Sequence, residues 1–221
     1  MSGVPGPTAP CGAVDLLRLD GMDGASDATP DGASDEAQPG APDGIPAAAP
    51  SGASDGAGAR IARARAGVLG LRLAPGQNRF VDPPVATLPK ADAHPGQVPF
   101  AVLVDGETAG FGILDRSVPT GTGIVPGDGS SLTAAPERAV MLRSFLIAVR
   151  WQGEGVGRRA CRLLPSLARE AAPEAEEILA TVKTANPAGY RAYLAGGFED
   201  TGRRYLGGDA GPQHVLSMRL V

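Results

Sequence analysis

Apolar positions recur along this chain with two periods, and each change from one to the other marks out an element. Residues 13–19, with Val14, Leu16, Leu17 and Leu19, read as a short first strand. Over 59–73, Ile61, Val68, Leu69 and Leu71 are set among Arg63 and Arg65, which predicts a helix with one apolar side. Residues 85–93 predict a second short helix. The runs 100–104 and 109–114 flank Asp105-Gly106 and predict a hairpin, because Asp-Gly accepts the positive φ of a tight turn. The stretch 138–149 is the central strand. In 155–172, Val156, Ala160, Leu163, Leu164, Leu167 and Ala168 fall at helical spacing and face the sheet, with a kink expected at Pro165. A further strand spans 177–182. Asn186 followed by Pro187 is an N-cap and first-turn proline, opening a helix that runs to 195 and stops at Gly196-Gly197. Residues 198–206 and 213–221 close the chain as a hairpin. Helices and strands alternating around one sheet give a mixed α/β domain.

Between these elements the pattern lapses. Residues 1–12 read as a disordered tail. Residues 20–58 carry eight acids and no Lys or Arg, and Gly-Ala-Ser-Asp recurs in them at irregular spacing. Such a stretch cannot bury enough surface to offset its chain entropy, so a disordered acidic insertion is expected within a domain spanning 13–221. Residues 116–137 are rich in Gly, Pro, Ser and Thr and read as a long loop, the kind that carries substrate lids.

Charge sharpens this division. The net charge of −4 hides an acidic insertion beside a remainder of about +4, since sixteen acids there face all twenty basic residues. A mildly basic fold suits a phosphate-bearing ligand. The Arg residues show no aromatic interleaving, so no nucleic acid is expected as a partner. No apolar run approaches the ~20 residues that cross a bilayer, so no membrane is expected either. Met1-Ser2-Gly3-Val4-Pro5 has no basic or apolar leader region. Cys11 and Cys161 make no disulfide framework, and a cytoplasmic location follows. His94 and His214 have no ligand partners nearby in sequence, so no metal is expected.

The chemistry concentrates at Gln152-Gly153-Glu154-Gly155-Val156-Gly157-Arg158, between the central strand and its helix. A glycine-rich turn at a helix start aims free backbone N–H groups at an anion, and Arg158 and Arg159 add positive charge. A P-loop would close with Lys and Ser or Thr, where Arg158-Arg159 stand. A dinucleotide fingerprint would be G-x-G-x-x-G near the start of a βαβ unit, and these glycines fall at 153, 155 and 157.

Q-G-x-G-x-G after an apolar strand resembles the acetyl-CoA loop of the GNAT superfamily of N-acetyltransferases. Asn186-Pro187-Ala188-Gly189-Tyr190-Arg191-Ala192-Tyr193-Leu194-Ala195-Gly196-Gly197-Phe198 is similar to that superfamily's N-x-x-A-x-x-x-Y-x-x-x-G-F helix, with Gly189 in place of the usual alanine. A fainter likeness to the spermine/spermidine-type branch runs through Leu71 to Val81. The resemblance implies a central mixed, mostly antiparallel sheet flanked by helices, and direct acetyl transfer from acetyl-CoA to a small-molecule primary amine. It implies that Phe145, Leu146 and Ile147 pair with the pantetheine arm, and that Gln152 to Arg158 hold the pyrophosphate. Glu154 is tolerable there only if it points to solvent. Asn186 would contact the pantetheine as well as cap its helix. Tyr193 would protonate the departing thiolate, since an unperturbed phenol, pKa ~10, is protonated at neutral pH. The resemblance leaves room for a homodimer. A non-catalytic acetyl-CoA-binding module, and a polyamine or protein amine as acceptor, are the alternative readings. Where the polyamine branch places a carboxylate, Arg143 and Ser144 stand, so the acceptor expected is no polycation and carries a carboxylate for Arg143 to hold.

Overall fold

Asp105 and Gly106 both take positive φ, at 49° and 80°, as a two-residue hairpin turn requires. They join β2 (Gln97–Val104) to β3 (Glu107–Asp115) as antiparallel neighbours. The computed structural model of the chain describes residues 12–21, 52–118, 124–125, 132–206 and 211–220. Six more strands, β1 (Val14–Arg18), β4 (Ile124–Val125), β5 (Ala139–Ile147), β6 (Glu177–Lys183), β7 (Glu199–Tyr205) and β8 (Gln213–Arg219), complete one sheet. Its order is β1-β2-β3-β5-β6-β8-β7-β4. The pairings are antiparallel except that of β5 with β6. The mixed, mostly antiparallel sheet flanked by helices is therefore the one expected.

The parallel pair follows from α3 (Val156–Ala171), which crosses over between β5 and β6. It buries Val156, Ala160, Cys161, Leu164, Leu167 and Ala168 against that face of the sheet. Full burial of a side chain such as Leu164 stabilises the fold by roughly 1.5–3 kcal/mol. Leu163, expected in this stripe, is half-buried, and Cys161 beside it is fully buried. The helix continues through Pro165. With α4 (Pro187–Ala195) it covers one face of the sheet; α1 (Gly52–Leu69) and α2 (Pro84–Asp92) cover Ala101, Leu103, Phe111 and Ile113 on the other.

One expectation needs correcting. The tail over 1–12 and the acidic stretch over 20–58 fall largely outside the described residues, but 52–58 belong to α1. That helix begins at Gly52 rather than at residue 59. Once the packed turns around Ala64 and Val68 exist, each added residue gains a backbone bond without a new nucleation cost. The Gly and Ser that argued against a helix are outweighed by propagation. Among the described residues no helix is long and apolar enough to cross a membrane.

Candidate active site

β5 and β6 pair side by side only from Ala139↔Glu177 to Leu142↔Ala180. Beyond Leu142 the backbone of β5 bulges. Ile113 faces Arg143 and Phe111 faces Leu146, so Gly112 stands opposite two residues, and Ser144 takes a φ of 50°. A non-glycine residue at such a φ stores strain that the surroundings must hold. Gly110 permits the close approach that follows, since a Cβ there would lie 2.6 Å from the Leu146 carbonyl oxygen. The two strands diverge, and a cavity of about 660 Å³ opens along the segment 143–147.

The glycine-rich turn forms one wall of this cavity. Gly153 and Gly155 take φ of 83° and 72°, a conformation that costs an L-residue with a side chain roughly 1–2 kcal/mol. Gly155 is the N-cap of α3 and offers no side-chain acceptor to the first N–H groups of the helix. Those donors therefore face the cavity with the helix dipole behind them. Gln152, Gly153, Gly155, Val156, Gly157 and Arg158 all line it. Glu154 is exposed and is not among the lining residues. The Gln152 side chain turns back and donates to the Ile147 carbonyl at 2.7 Å. Trp151 also lines the cavity, and its indole N–H is shielded from solvent without a hydrogen-bond partner among the described residues.

The opposite wall is α4. The Asn186 side-chain oxygen Oδ1 accepts from the Gly189 N–H at 3.0 Å and caps the helix, and Asn186 lines the cavity. Tyr193 lines the same cavity, with its ring 5.9 Å from Phe145 and edge-on to Phe198 at 5.3 Å. Burial, with a smaller contribution from nearby Cys161, pushes the Tyr193 phenol well above its ordinary range. The phenol is thus not the unperturbed one expected from sequence. Cys161 itself is raised to about 12 by burial, so it is no nucleophile.

A polar cluster anchors α4 to the closing hairpin. The Asp200 carboxylate accepts from the Tyr190 hydroxyl at 2.9 Å and from the Gly202 N–H at 2.8 Å, and meets His214 Nδ1 at 2.9 Å. Burial would push the Asp200 carboxyl up, but the Gly202 amide, His214, Tyr190 and Arg204 outweigh it and hold it below the usual range. The hydrogen bond to Asp200 in turn pushes the Tyr190 phenol up. No group of three His, Cys, Asp or Glu stands ready for a metal among the described residues.

Every residue that the sequence assigns to acetyl-CoA or to the chemistry, Glu154 excepted, lines this one cavity; Arg159, expected to add charge beside the turn, donates instead to the Gly12 carbonyl at 2.8 Å. The cavity also takes in Gln77, Phe80 and Val81, from the stretch that carries the fainter branch likeness, and residues that no motif marked: Thr181 and Lys183 from β6, and Gln213 from β8. The signal that could have found the β6 pair is strand alternation. Thr181 and Lys183 sit two and four residues beyond buried Leu179, on the same face of the strand.

No known family profile matches the chain. It is 30% identical over 138 residues, 62% of this chain and 80% of the relative, to an uncharacterized N-acetyltransferase, YbbJ, of Bacillus subtilis (strain 168). Similar solved structures include AAC(6')-Ib in complex with Parmomycin and AcetylCoA, at 22% identity, covering 59% of this chain and 69% of that one, with a TM-score of 0.48. A spermidine N-acetyltransferase from Vibrio cholerae in complex with CoA and spermine is 15% identical, over 62% and 73% of the two chains, with a TM-score of 0.42.

Proposed function

The chain belongs to the GNAT superfamily of acetyl-CoA-dependent N-acetyltransferases, and from that premise we propose that it acetylates the primary amine of a small molecule by direct attack in a ternary complex. The observation that carries this reading is the divergence of β5 and β6 at Leu142↔Ala180, with the uncapped start of α3 on one side and buried Tyr193 on the other.

The residues fit the cosubstrate. Gly153 and Gly155 hold a loop conformation that brings backbone N–H groups to an anion, and the first turn of α3 has no side chain of its own to satisfy them. Gly155 to Arg158 would hold the pyrophosphate. Phe145, Leu146 and Ile147, on the part of β5 freed from β6, and Asn186 would hold the pantetheine arm. When bound, acetyl-CoA supplies an acetyl group on an activated thioester.

Tyr193 keeps its proton at every physiological pH, because burial raises its pKa. It is the donor for the sulfur as the C–S bond breaks and the C–N bond forms. The amine's own surplus proton leaves to solvent, and solvent returns one to the Tyr193 oxygen before the next turnover. A sulfur departing into the same dry surroundings is itself made more basic, which offsets the weaker acidity of the buried phenol. Much of the acceleration comes from holding amine and thioester at attack distance. Cys161 takes no part, so no acetyl-enzyme forms.

Thiol release from acetyl-CoA in the presence of single primary amines tests the reading. Amine-dependent release is expected. Binding of acetyl-CoA without release across amino acids, amino sugars, monoamines and polyamines would convert the chain into a non-catalytic acetyl-CoA-binding module.

A further inference from the structure

The strand register defines the chemistry of the cavity's second end. Met141, Leu179 and Val215 bury together in one cluster, and the pairings Met141↔Leu179 and Thr181↔Val215 place them on one face of the sheet. Two residues further along β5 and β8, and four along β6, that face continues as Arg143, Gln213 and Lys183, with Lys183 directly opposite Gln213. On this side of the sheet α1 and α2 pack over β1, β2 and β3, and α3 lies on the other side. Among the described residues the whole cavity is lined by four cations, Arg143, Arg158, Lys183 and Arg191, and by no Asp, Glu or His. Arg158 lies on α3 and Arg191 on α4; Arg143 and Lys183 belong to the sheet.

The two sheet cations are held in place from behind. Arg143 Nε lies 2.7 Å from Asp115 Oδ2, an ion pair in which the carboxylate side chain is 3% exposed and the arginine 36%. Asp115 is fixed in turn by Gln97 at 3.0 Å and by the Ser117 N–H at 2.8 Å. The contact is an ion pair without an aligned Nε–H hydrogen bond, and the outer N–H groups of the guanidinium are the ones suited to another acceptor. The Lys183 ammonium donates to the Arg79 carbonyl, which ties the 3₁₀ turn Gln77–Arg79 over the cavity. No carboxylate is paired with it among the described residues.

We propose that the acceptor is an amine carrying its own anionic group, carboxylate or phosphate, which Arg143 and Lys183 hold while they exclude polycations. This inference rests on the acetyltransferase reading and names its substrate class. Lys183 also bears on the nucleophile, since Asp115 offsets the Arg143 charge at 2.7 Å. A cation beside an amine disfavours its protonated form. With no Asp, Glu or His lining the cavity among the described residues, the field of Lys183 favours the neutral nucleophile that direct attack needs.

Matched acceptor pairs test it: an amino acid against its carboxamide, glucosamine 6-phosphate against glucosamine, and spermidine alone. Acetyl-CoA affinity is measured separately by calorimetry. The anionic member of at least one pair is expected to exceed its neutral partner tenfold or more in kcat/KM, with spermidine lowest. The pair that shows the preference identifies carboxylate or phosphate. Lys183→Gln, and Arg143→Gln combined with Asp115→Asn so that no buried charge is stranded, should each reduce that preference at least threefold. Acetyl-CoA Kd should stay within twofold in both. Preference for the neutral members or for spermidine overturns the inference, as does acetyl-CoA binding with no turnover of any anionic amine. Failure to bind acetyl-CoA at all overturns the acetyltransferase reading instead, so the two failures are distinct.

Discussion

The side-chain amide of Gln152 donates to the Ile147 carbonyl at 2.7 Å, joining the first residue of the glycine-rich turn to the last residue of β5. The two binding walls proposed for acetyl-CoA, strand segment and phosphate turn, are thereby held in one geometry. Gln152→Ala removes this bond and keeps the backbone donors. A net hydrogen bond is worth about 0.5–1.5 kcal/mol, so KM for acetyl-CoA should rise roughly two- to tenfold with kcat nearly unchanged. Steady-state kinetics at saturating acceptor checks this. Loss confined to kcat would assign Gln152 to the chemistry rather than to the fit between turn and strand.

Gly155 is constrained twice. Its φ is 72°, and a Cβ would meet Arg158 Nε at 2.9 Å. Gly155→Glu adds a carboxylate where the phosphates are proposed to sit, and it strains the turn by about 1–2 kcal/mol. The wild-type protein should gain melting temperature with acetyl-CoA, and the variant should not. Thermal shift with and without acetyl-CoA decides it. A folded variant with an undiminished shift would remove the turn from the phosphate site.

Asp200 gives the fold an acid-sensitive joint between α4 and the β7–β8 hairpin. Its carboxyl is held below the usual range, so it is the ionised form that the folded state favours. That stability is present above the unfolded carboxyl pKa and is lost as pH falls through the lower, folded one. Asp200→Asn should lower stability at pH 7 by about 1–3 kcal/mol, the range for hydrogen bonds to a charged group. The gap between variant and wild type should close on acidification below about pH 4. Urea unfolding at steps from pH 7 down to pH 2 measures both; a gap that does not narrow at all over that range would mean that the cluster works by packing alone.

Much of this site was legible from local signals. Asn186-Pro187 starts α4 where the sequence predicts, because an N-cap and a first-turn proline are both backbone rules that need no tertiary context. The Asp105-Gly106 turn is readable for the same reason. The start of α1 at Gly52 was not, since the Gly and Ser of 52–58 weigh against a helix locally and only the packed turns behind them extend it. The ion pair of Arg143 with Asp115 was hidden as well. It depends on the β3–β5 register, which a bulge at Ser144 shifts, and no single segment encodes that bulge. Lys183 and Gln213 became site residues for a similar reason, through pairing between strands distant in sequence.

Tyr193 is the residue on which the proposed chemistry turns, and its burial makes a prediction about pH. Tyr193→Phe keeps the ring that packs against Phe145 and Phe198 and removes only the hydroxyl. Acetyl-CoA affinity and melting temperature should therefore change little, while kcat falls by ~10², the usual range for a lost general acid. The sign of the pKa shift sets the second expectation. Burial raises the folded pKa above that of an ordinary phenol, so the proton stays in place as pH passes 10 and no falling limb near pH 10 should come from Tyr193. The wild-type kcat profile should climb with deprotonation of the acceptor and then stay level to pH 10. The Phe variant should follow the same shape at a lower level. A wild-type falling limb near pH 10 that disappears in Tyr193→Phe would mean that the phenol titrates as an exposed one, and an unchanged kcat in the variant would leave Tyr193 as a packing residue.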